Sequence, residues 1–256
     1  MNILVCIKRV PDIGAKVELT EDQRAIVTRN LGFTISPHEE CAVEEAVQRI
    51  EQGGGDSTVL TLGPDGAEEQ LRDSLARGVE RGMLLETDGN EWDASETAQA
   101  IVEAIQARQG AGEAYDLFLF GNESADTGNF QVGIRVAHAL HLPCVTGVKA
   151  MEIQDGKVVA KREIESGWEI YEVPLPAVIA VKEGINLPRY PSLRGTMKAK
   201  KKPVERIQPQ PSGATLEMQR LQHPPEQGKQ VEMLGQGAAA APRVVELLKS
   251  LEVISS

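Results

Sequence analysis

Hydrophobic residues occur along this chain in two alternating arrangements, short unbroken runs and longer periodic segments. The unbroken runs predict strands at residues 3–7, 58–62, 83–85, 117–120 and 178–181. The periodic segments place apolar side chains on one helical face and predict helices at residues 39–51, 67–77, 95–106 and 131–140. Strands that alternate with helices predict an α/β fold, a mostly parallel, Rossmann-like sheet with helices on both faces. Ligands of such sheets bind at the carboxyl ends of the strands.

Two segments depart from this alternation. Residues 151–159 carry an Asp-Gly pair between two alternating arms, which predicts a β-hairpin. Residues 203–242 are rich in Gln, Pro and Gly and have little periodicity, so we expect an extended arm there. Pro242 then opens an amphipathic helix. We therefore expect a ligand-binding α/β domain at residues 1–202, and a C-terminal arm and helix at residues 203–256 that pack on another subunit.

Composition narrows the class of protein. The chain has 256 residues and a formal net charge of -11, which argues against a general nucleic-acid binder. Aromatic residues make up 4% of the chain, so no stacking surface for nucleic acid is expected. Three cysteines without a CxxC pair favour neither a disulfide framework nor a zinc site. No apolar run approaches the roughly 20 residues that span a bilayer, and no signal-peptide pattern occurs, so we expect a cytoplasmic protein.

The best candidate for ligand chemistry is the loop GNESADTGNFQVG at residues 121–133, between an apolar strand and a helix. Its small residues let backbone N–H groups approach an anion, and the helix dipole favours a phosphate. Loops of this composition are also common as plain connections. Lys8 and Arg9 add positive charge after the first strand, and Ser36-Pro37 predicts a helix N-cap. No GxGxxG follows the first strand and no Walker A motif occurs, which argues against Rossmann NAD and P-loop sites.

Other catalytic or metal chemistry finds little support in the sequence. His138 and His141 lie three positions apart, but no Cys or carboxylate stands at convincing ligand spacing. No Ser-His-Asp order or paired-carboxylate motif indicates a hydrolase. We therefore expect neither a catalytic residue nor a metal ligand.

A second candidate site is a recognition loop at residues 188–202 (the recognition segment). Leu193 stands there between turn-forming residues, so it is expected to project from the surface. The lysines that follow it are Lys198, Lys200, Lys201 and Lys202. An exposed apolar side chain beside positive charge is typical of a partner-docking site, with the leucine as anchor and the lysines as steering charges. The same pattern also fits a solvated basic turn.

Several separate motifs resemble, in order, the β-subunit of electron-transfer flavoproteins over about the first 205 residues. They are VCIKRVPD at 5–12, AVEEAV at 42–47, LGP at 62–64, LARGVERG at 75–82, KREIESG to PAVIA at 161–180, and RYPSLRGTMKAKKK at 189–202. Ser36 stands where this family usually has Asn. Within residues 161–180, Ser166 and Tyr171 differ from the residues usual in this family, and both lie away from the expected ligand site.

The resemblance implies an adenine-nucleotide-binding subunit of a heterodimer. Its α-subunit would hold most of a redox-active FAD, while this chain would complete that site and bind AMP structurally. Electrons would arrive from acyl-CoA or related dehydrogenases docked through Leu193 and leave toward a quinone-linked oxidoreductase, so the chain would be a carrier and not an enzyme. The cofactor-binding residues implied are Cys6, Ser36, Pro37, His38, Glu39, Leu62, Gly121, Asn122, Ser124, Asp126, Thr127, Gly128, Asn129, Gln131 and Val132.

Two alternatives stay open. One is an electron-bifurcating relative, in which a second FAD replaces AMP and NADH is the electron source. The Ser36-Pro37-His38 turn and the lysine-rich recognition segment favour the AMP type. The other is a stand-alone adenine-nucleotide-binding regulatory module, which the long arm and terminal helix argue against.

Overall fold

A computed structural model of the chain describes residues 1–12, 14–213, 216, 218–225 and 232–254. The helices in the described part are α1 (Pro37–Gly53), α2 (Glu68–Arg77), α3 (Ala94–Gly110), α4 (Val132–Ala139), α5 (Leu193–Ala199) and α6 (Ala241–Ser250). None of these is long and apolar enough to cross a membrane. The strands are β1 (Asn2–Ile7), β2 (Val10–Pro11), β3 (Phe33–Thr34), β4 (Asp56–Gly63), β5 (Arg81–Glu86), β6 (Leu117–Gly121), β7 (Cys144–Gln154), β8 (Lys157–Ile164), β9 (Gly167–Pro174), β10 (Ala177–Val181) and β11 (Val204–Ile207).

One nine-stranded sheet forms the framework, in the order β11-β5-β4-β1-β6-β10-β7-β8-β9. Every neighbouring pair from β11 to β7 is parallel, whereas β8 pairs antiparallel with both β7 and β9. The predicted mostly parallel sheet is confirmed, and the predicted hairpin is β7 and β8. The two short strands β2 and β3 pair with each other outside this sheet.

The alternation along β1 shows why helices cover both faces. Ile3, Val5 and Ile7 belong to one buried cluster, which they share with α1 and α2. Leu4 and Cys6 belong to a second cluster, which they share with α3 and α4. A strand buried on both faces has an unbroken apolar run, which is the signal that the sequence showed. The strands and helices predicted up to residue 181 are all present, with ends shifted by a few residues.

The strand β11 lies in a segment whose composition predicted an extended arm. It pairs parallel with β5 at the edge of the sheet, next to the hydrogen bond from Gly82 N to Pro203 O at 3.0 Å. The guanidinium of Arg206 donates to Asp65 at 2.6 Å and to Glu86 at 3.0 Å. Only four residues long and half exposed, β11 has no unbroken apolar run by which a periodicity search could find it.

The chain divides into two compact units, Met1–Arg220 and Leu221–Ser256. The second unit contains α6, which begins at the predicted place beside Pro242. Its apolar side chains Val244, Val245 and Leu247 are exposed. Of the predicted arm, residues 214–215, 217, 226–231 and 255–256 lie outside the described residues.

Candidate functional site

A cavity of about 330 Å³ lies at the carboxyl ends of four neighbouring parallel strands, β5, β4, β1 and β6. Its walls come from the loops that follow these strands, through residues such as Lys8, Leu62, Thr87 and Asn122. This edge of the sheet is where an α/β fold places its ligands. The volume falls within the range of small-ligand sites, about 300–1,000 Å³.

Most of the residues that the sequence analysis assigned to cofactor binding meet at this cavity. Those on its wall are Cys6, Glu39, Leu62, Gly121, Asn122, Ser124, Asp126, Thr127, Asn129, Gln131 and Val132. Ser36, Pro37, His38 and Gly128 are not among the lining residues. The structure therefore gathers segments that are far apart in sequence, while their contact with a nucleotide stays a prediction.

Behind this wall, the turn before α1 holds the loop that follows β6. Ser36 is the N-cap of α1 and Pro37 its first residue, as predicted. The hydroxyl of Ser36 is fully buried and accepts a hydrogen bond from Ala125 N at 2.8 Å. Ser36 thus positions the loop from behind the wall.

Two more side chains, His38 and Asn122, take part in holding the same loop. His38 Nδ1 accepts a hydrogen bond from Glu183 N at 2.9 Å, and His38 Nε2 lies 3.2 Å from Glu123 Oε1. Asn122 Oδ1 accepts a hydrogen bond from Gly147 N at 2.8 Å. Together these bonds join the start of α1 to the loops after β6 and β10 and to β7. The cavity wall is therefore built on a network of side-chain contacts, as a preorganised site requires.

The first turn of α4, which follows the loop at residues 121–131, also forms part of the wall. Val132, Gly133 and Ile134 all line the cavity. The first N–H groups of an α-helix lack intrahelical acceptors and carry the positive end of the helix dipole. Gly133 permits close packing here, because a Cβ would lie 3.1 Å from Cγ of Phe120. This part of the wall suits an anionic group such as a phosphate.

Glu39 is a buried carboxyl in the wall. Its two oxygens accept hydrogen bonds from Lys8 N at 2.8 Å and Ser36 N at 2.9 Å. A Cβ at Gly121 would lie 2.7 Å from its Cγ, so only glycine fits beside it. Burial raises the pKa of Glu39 to about 8, and the backbone donors offset only part of that shift. Burial and the nearby Glu39 also raise the pKa of the Cys6 thiol, which leaves it protonated and unreactive.

Lys8 joins three loops at the cavity. Its Nζ lies 2.6 Å from Asp126 Oδ2 and 3.2 Å from Glu91 Oε1. Burial disfavours the ammonium, but these two carboxylates outweigh it and raise the pKa of Lys8. Burial likewise opposes ionisation of Asp126, and the ammonium outweighs it and lowers the pKa of that carboxyl. Lys8, which the sequence suggested as a cation for a nucleotide, is thus already paired with two carboxylates.

Arg9 is a second positively charged residue that lines the same cavity. Its guanidinium carbon lies 3.2 Å from the ring centroid of Phe33, a cation–π contact. Its buried Nε has no hydrogen-bond acceptor among the described residues. Burial lowers the pKa of Arg9. The positive charge of this lining residue is a further feature that suits an anionic ligand.

The aromatic part of the wall was not predicted from the sequence. Phe33, Trp92, Phe120 and Phe130 all line the cavity, although aromatic residues make up only 4% of the chain. Phe130 lies in the loop at residues 121–133 but was not assigned to the site, and no motif surrounds Phe33 or Trp92. Their position along the chain could have indicated them. Trp92 and Phe130 lie in loops that follow parallel strands, and such loops meet at the same edge of the sheet.

The recognition segment contains α5, a short helix where a loop was expected. Leu193 is 89% exposed at its start, and Ser192 Oγ accepts a hydrogen bond from Gly195 N at 3.0 Å as an N-cap. The helix lies so close to α2 that a Cβ at Gly195 would be 2.3 Å from the carbonyl oxygen of Ala76. The expected exposure of the leucine is confirmed, and the expected loop is corrected to a capped helical turn.

Both ends of the recognition segment are attached to longer helices. At its start, Arg189 Nε lies 2.9 Å from Glu44 Oε2 and Arg189 Nη1 lies 2.6 Å from Glu51 Oε1, both on α1. At its end, Arg72 of α2 donates to the carbonyl oxygen of Lys202 at 2.7 Å. Leu193 is therefore presented from a supported surface.

The lysines of the recognition segment are not equivalent. The exposed ones are Lys198, Lys200 and Lys201. The ammonium of Lys202 donates to the carbonyl oxygens of Val79 at 2.6 Å and Leu75 at 3.3 Å, at the end of α2. It thereby satisfies carbonyls that a helix end leaves without partners. A steering role suits the three exposed lysines better than Lys202.

Comparison with known proteins identifies the family. Residues 24–212 match the family model described as the electron transfer flavoprotein domain. The chain is 35% identical over 251 residues to the electron transfer flavoprotein subunit beta of Syntrophomonas wolfei, which covers 98% of this chain and 96% of that relative. The chain belongs to the electron transfer flavoprotein family. The resemblance found in the sequence is thus confirmed.

Two further relatives bear on the role of this electron transfer flavoprotein chain. It is 36% identical over 210 residues to the subunit beta of Bacillus subtilis, with 81% of this chain and 79% of that relative covered. It is 32% identical over 209 residues to the caffeyl-CoA reductase-Etf complex subunit CarD of Acetobacterium woodii, with 80% and 77% covered.

Family membership establishes the general role. An electron transfer flavoprotein β-subunit is an electron carrier rather than an enzyme, and it works with an α-subunit and with electron-transfer partners. No group of three His, Cys, Asp or Glu side chains within the described ranges could hold a metal ion.

Proposed function

We propose that this chain is the β-subunit of a cytoplasmic, heterodimeric electron transfer flavoprotein that binds AMP structurally and completes the FAD site of its α-subunit. Electrons come from acyl-CoA or related dehydrogenases and pass to a quinone-linked oxidoreductase. FAD supplies the redox chemistry, and the residues of this chain supply binding, orientation and electrostatics.

The observation that carries the AMP proposal is the cavity at the strand ends. Its wall combines the start of α4 at Val132, the positively charged Arg9 and several aromatic rings. These features suit the phosphate and the base of one nucleotide. Lys8 already pairs with Asp126 and Glu91, so it contributes to loop order more than to net positive charge.

Release and quantification of bound nucleotides tests this proposal. The heterodimer is co-expressed, purified and denatured, and its FAD and AMP are measured by chromatography. We expect about one FAD and one AMP per heterodimer, because one nucleotide fills a single crevice. One FAD with no second nucleotide would contradict the AMP proposal.

A bifurcating subunit with FAD in this cavity and NADH as electron source is the second candidate. The similarity to a subunit named for a caffeyl-CoA reductase-Etf complex favours it, as do the aromatic rings of the wall, which suit a flavin as well as an adenine. The same extraction distinguishes the two, since two FAD and no AMP would establish this candidate. The family and its paired subunits favour both over a stand-alone regulatory module.

The second compact unit is proposed to stabilise the heterodimer. The apolar side chains of α6, among them Val244, Val245 and Leu247, are exposed. Their burial on the α-subunit would contribute several kcal/mol, at roughly 1.5–3 kcal/mol per fully buried large side chain before entropy is subtracted. Truncation after Arg220 tests this while leaving β11 in the sheet. Unchanged affinity of the truncated chain for the α-subunit would exclude the role.

A further inference from the structure

Among the four aromatic side chains of the cavity wall, Trp92 is the best placed to meet a flat ligand ring. Phe33 already carries the guanidinium of Arg9 against its ring at 3.2 Å. Phe120 is 5% exposed and belongs to the core. Phe130 is 50% exposed and has a left-handed backbone with φ 55°, in the long loop. Trp92 is half-buried, packs against the core cluster of α3 and α4, and lines the cavity.

The chain holds Trp92 in place from both sides. Its neighbour Glu91 pairs with Lys8 Nζ at 3.2 Å. Its other neighbour, Asp93, caps α3 by accepting hydrogen bonds from Ser95 N at 2.7 Å and Glu96 N at 2.8 Å. Earlier in the same loop, the N–H of Thr87 donates to Gly63 O at 2.9 Å. These contacts hold the backbone on either side of Trp92, and the side chain itself packs against the core, so little conformational freedom is lost when a ligand binds.

We propose that Trp92 supplies the stacking surface for the nucleobase of the nucleotide in this cavity. The proposal rests on the proposed nucleotide site and adds the residue that recognises the base, at the opposite chemical end of the ligand from the phosphate. An indole offers a large flat π surface, and every nucleobase has a π face to place on it. Loss of such a contact weakens binding by about 5- to 150-fold, from the usual worth of a base–aromatic stack.

Calorimetric titration of AMP into the heterodimer, after removal of bound nucleotide, tests the proposal. The variants are Trp92→Leu, which keeps an apolar side chain but removes the ring, and Trp92→Phe, which keeps a smaller ring. The matched control is Trp168→Leu, since Trp168 lies on β9 at the sheet edge, is 54% exposed and is not among the lining residues. Thermal unfolding of each variant shows that the fold is intact.

We expect Trp92→Leu to bind AMP about 5- to 150-fold more weakly, Trp92→Phe to retain most of the affinity, and Trp168→Leu to bind like the wild type. Equal affinities of Trp92→Leu and wild type would overturn the stacking role while leaving the AMP site in place. Equal losses of AMP affinity in Trp92→Leu and Trp92→Phe would also overturn it. That result would mean that the site responds to the size of the side chain at position 92 and not to the presence of a ring. Failure of the wild type to bind AMP would refute the proposed AMP site, and with it the proposed role of Trp92.

Discussion

Replacement of Gly195 by alanine is expected to separate α5 from α2. An added Cβ would lie 2.3 Å from the carbonyl oxygen of Ala76 and 3.2 Å from Ser192 Oγ. Ordinary van der Waals contacts of a Cβ begin near 3.4 Å. The two backbones must therefore move apart by about 1 Å, because the obstructing atom is a backbone oxygen that no rotamer change can displace. The recognition segment would then lose part of its support.

Overpacking of this kind costs about 1–3 kcal/mol, and the higher helix propensity of alanine offsets about 1 kcal/mol of that cost. We expect Gly195→Ala to lower the free energy of unfolding by up to about 2 kcal/mol in urea denaturation. The matched control is Gly110→Ala at the end of α3, where an added Cβ meets no atom within 4 Å, and it should be neutral or slightly stabilising. Equal midpoints for the two variants would refute the close packing of α5 on α2.

Three further predictions concern single side chains. Leu193→Ala should slow electron transfer from a docked dehydrogenase at subsaturating concentration by about 30-fold, for an anchor worth about 2 kcal/mol, without changing flavin content. Leu187→Ala, equally exposed at 89%, should change the rate little, and equal rates for the two variants would exclude the anchor. Lys202→Ala should lower the free energy of unfolding by roughly 1–3 kcal/mol, because carbonyls at the end of α2 lose their donor, whereas Lys200→Ala should alter only the salt dependence of association. Unchanged stability of Lys202→Ala would contradict that contact. The raised pKa of Glu39 means that the folded chain keeps a proton that the unfolded chain has lost between pH 4.5 and about 8. Its contribution therefore makes the free energy of unfolding fall as pH rises through that range, and Glu39→Gln should remove that part of the slope in urea titrations at several pH values. An identical slope in wild type and variant would show that Glu39 titrates normally.

The core of the sheet could be predicted because burial on both faces leaves a local signal. Leu4 and Val5 face opposite clusters, so the buried positions of β1 from Ile3 to Ile7 must all be apolar. The strand β11 lacks this signal, since its central residues Glu205 and Arg206 face solvent and ion-pair partners. Its place in the sheet depends on pairing with β5, which is remote in sequence. Edge strands are decided by tertiary contacts of this kind.

Loop composition and strand order were enough to predict where the candidate site lies. The loop at residues 121–133 was identified because small residues follow a buried strand. The pairing of Lys8 with Asp126, and the arrival of Trp92 at the same cavity, depend on where separate loops meet. Lys202 looks like Lys200 in the sequence, and only the position of the end of α2 distinguishes them. Local patterns therefore identify candidate residues but cannot assign their partners.

The helix α1 connects the two candidate sites physically. Its first turn carries Glu39 in the cavity wall, and further along it Glu44 and Glu51 hold Arg189 of the recognition segment. A nucleotide that binds only the folded chain stabilises it by RT ln(1 + [L]/Kd), about 2.7 kcal/mol at a hundredfold excess over Kd. That stabilisation applies to the folded chain as a whole, including α1 and the loops of the wall. A structural AMP would therefore also strengthen the base from which Leu193 is presented, which gives a bound but unreactive nucleotide a physical role in an electron carrier.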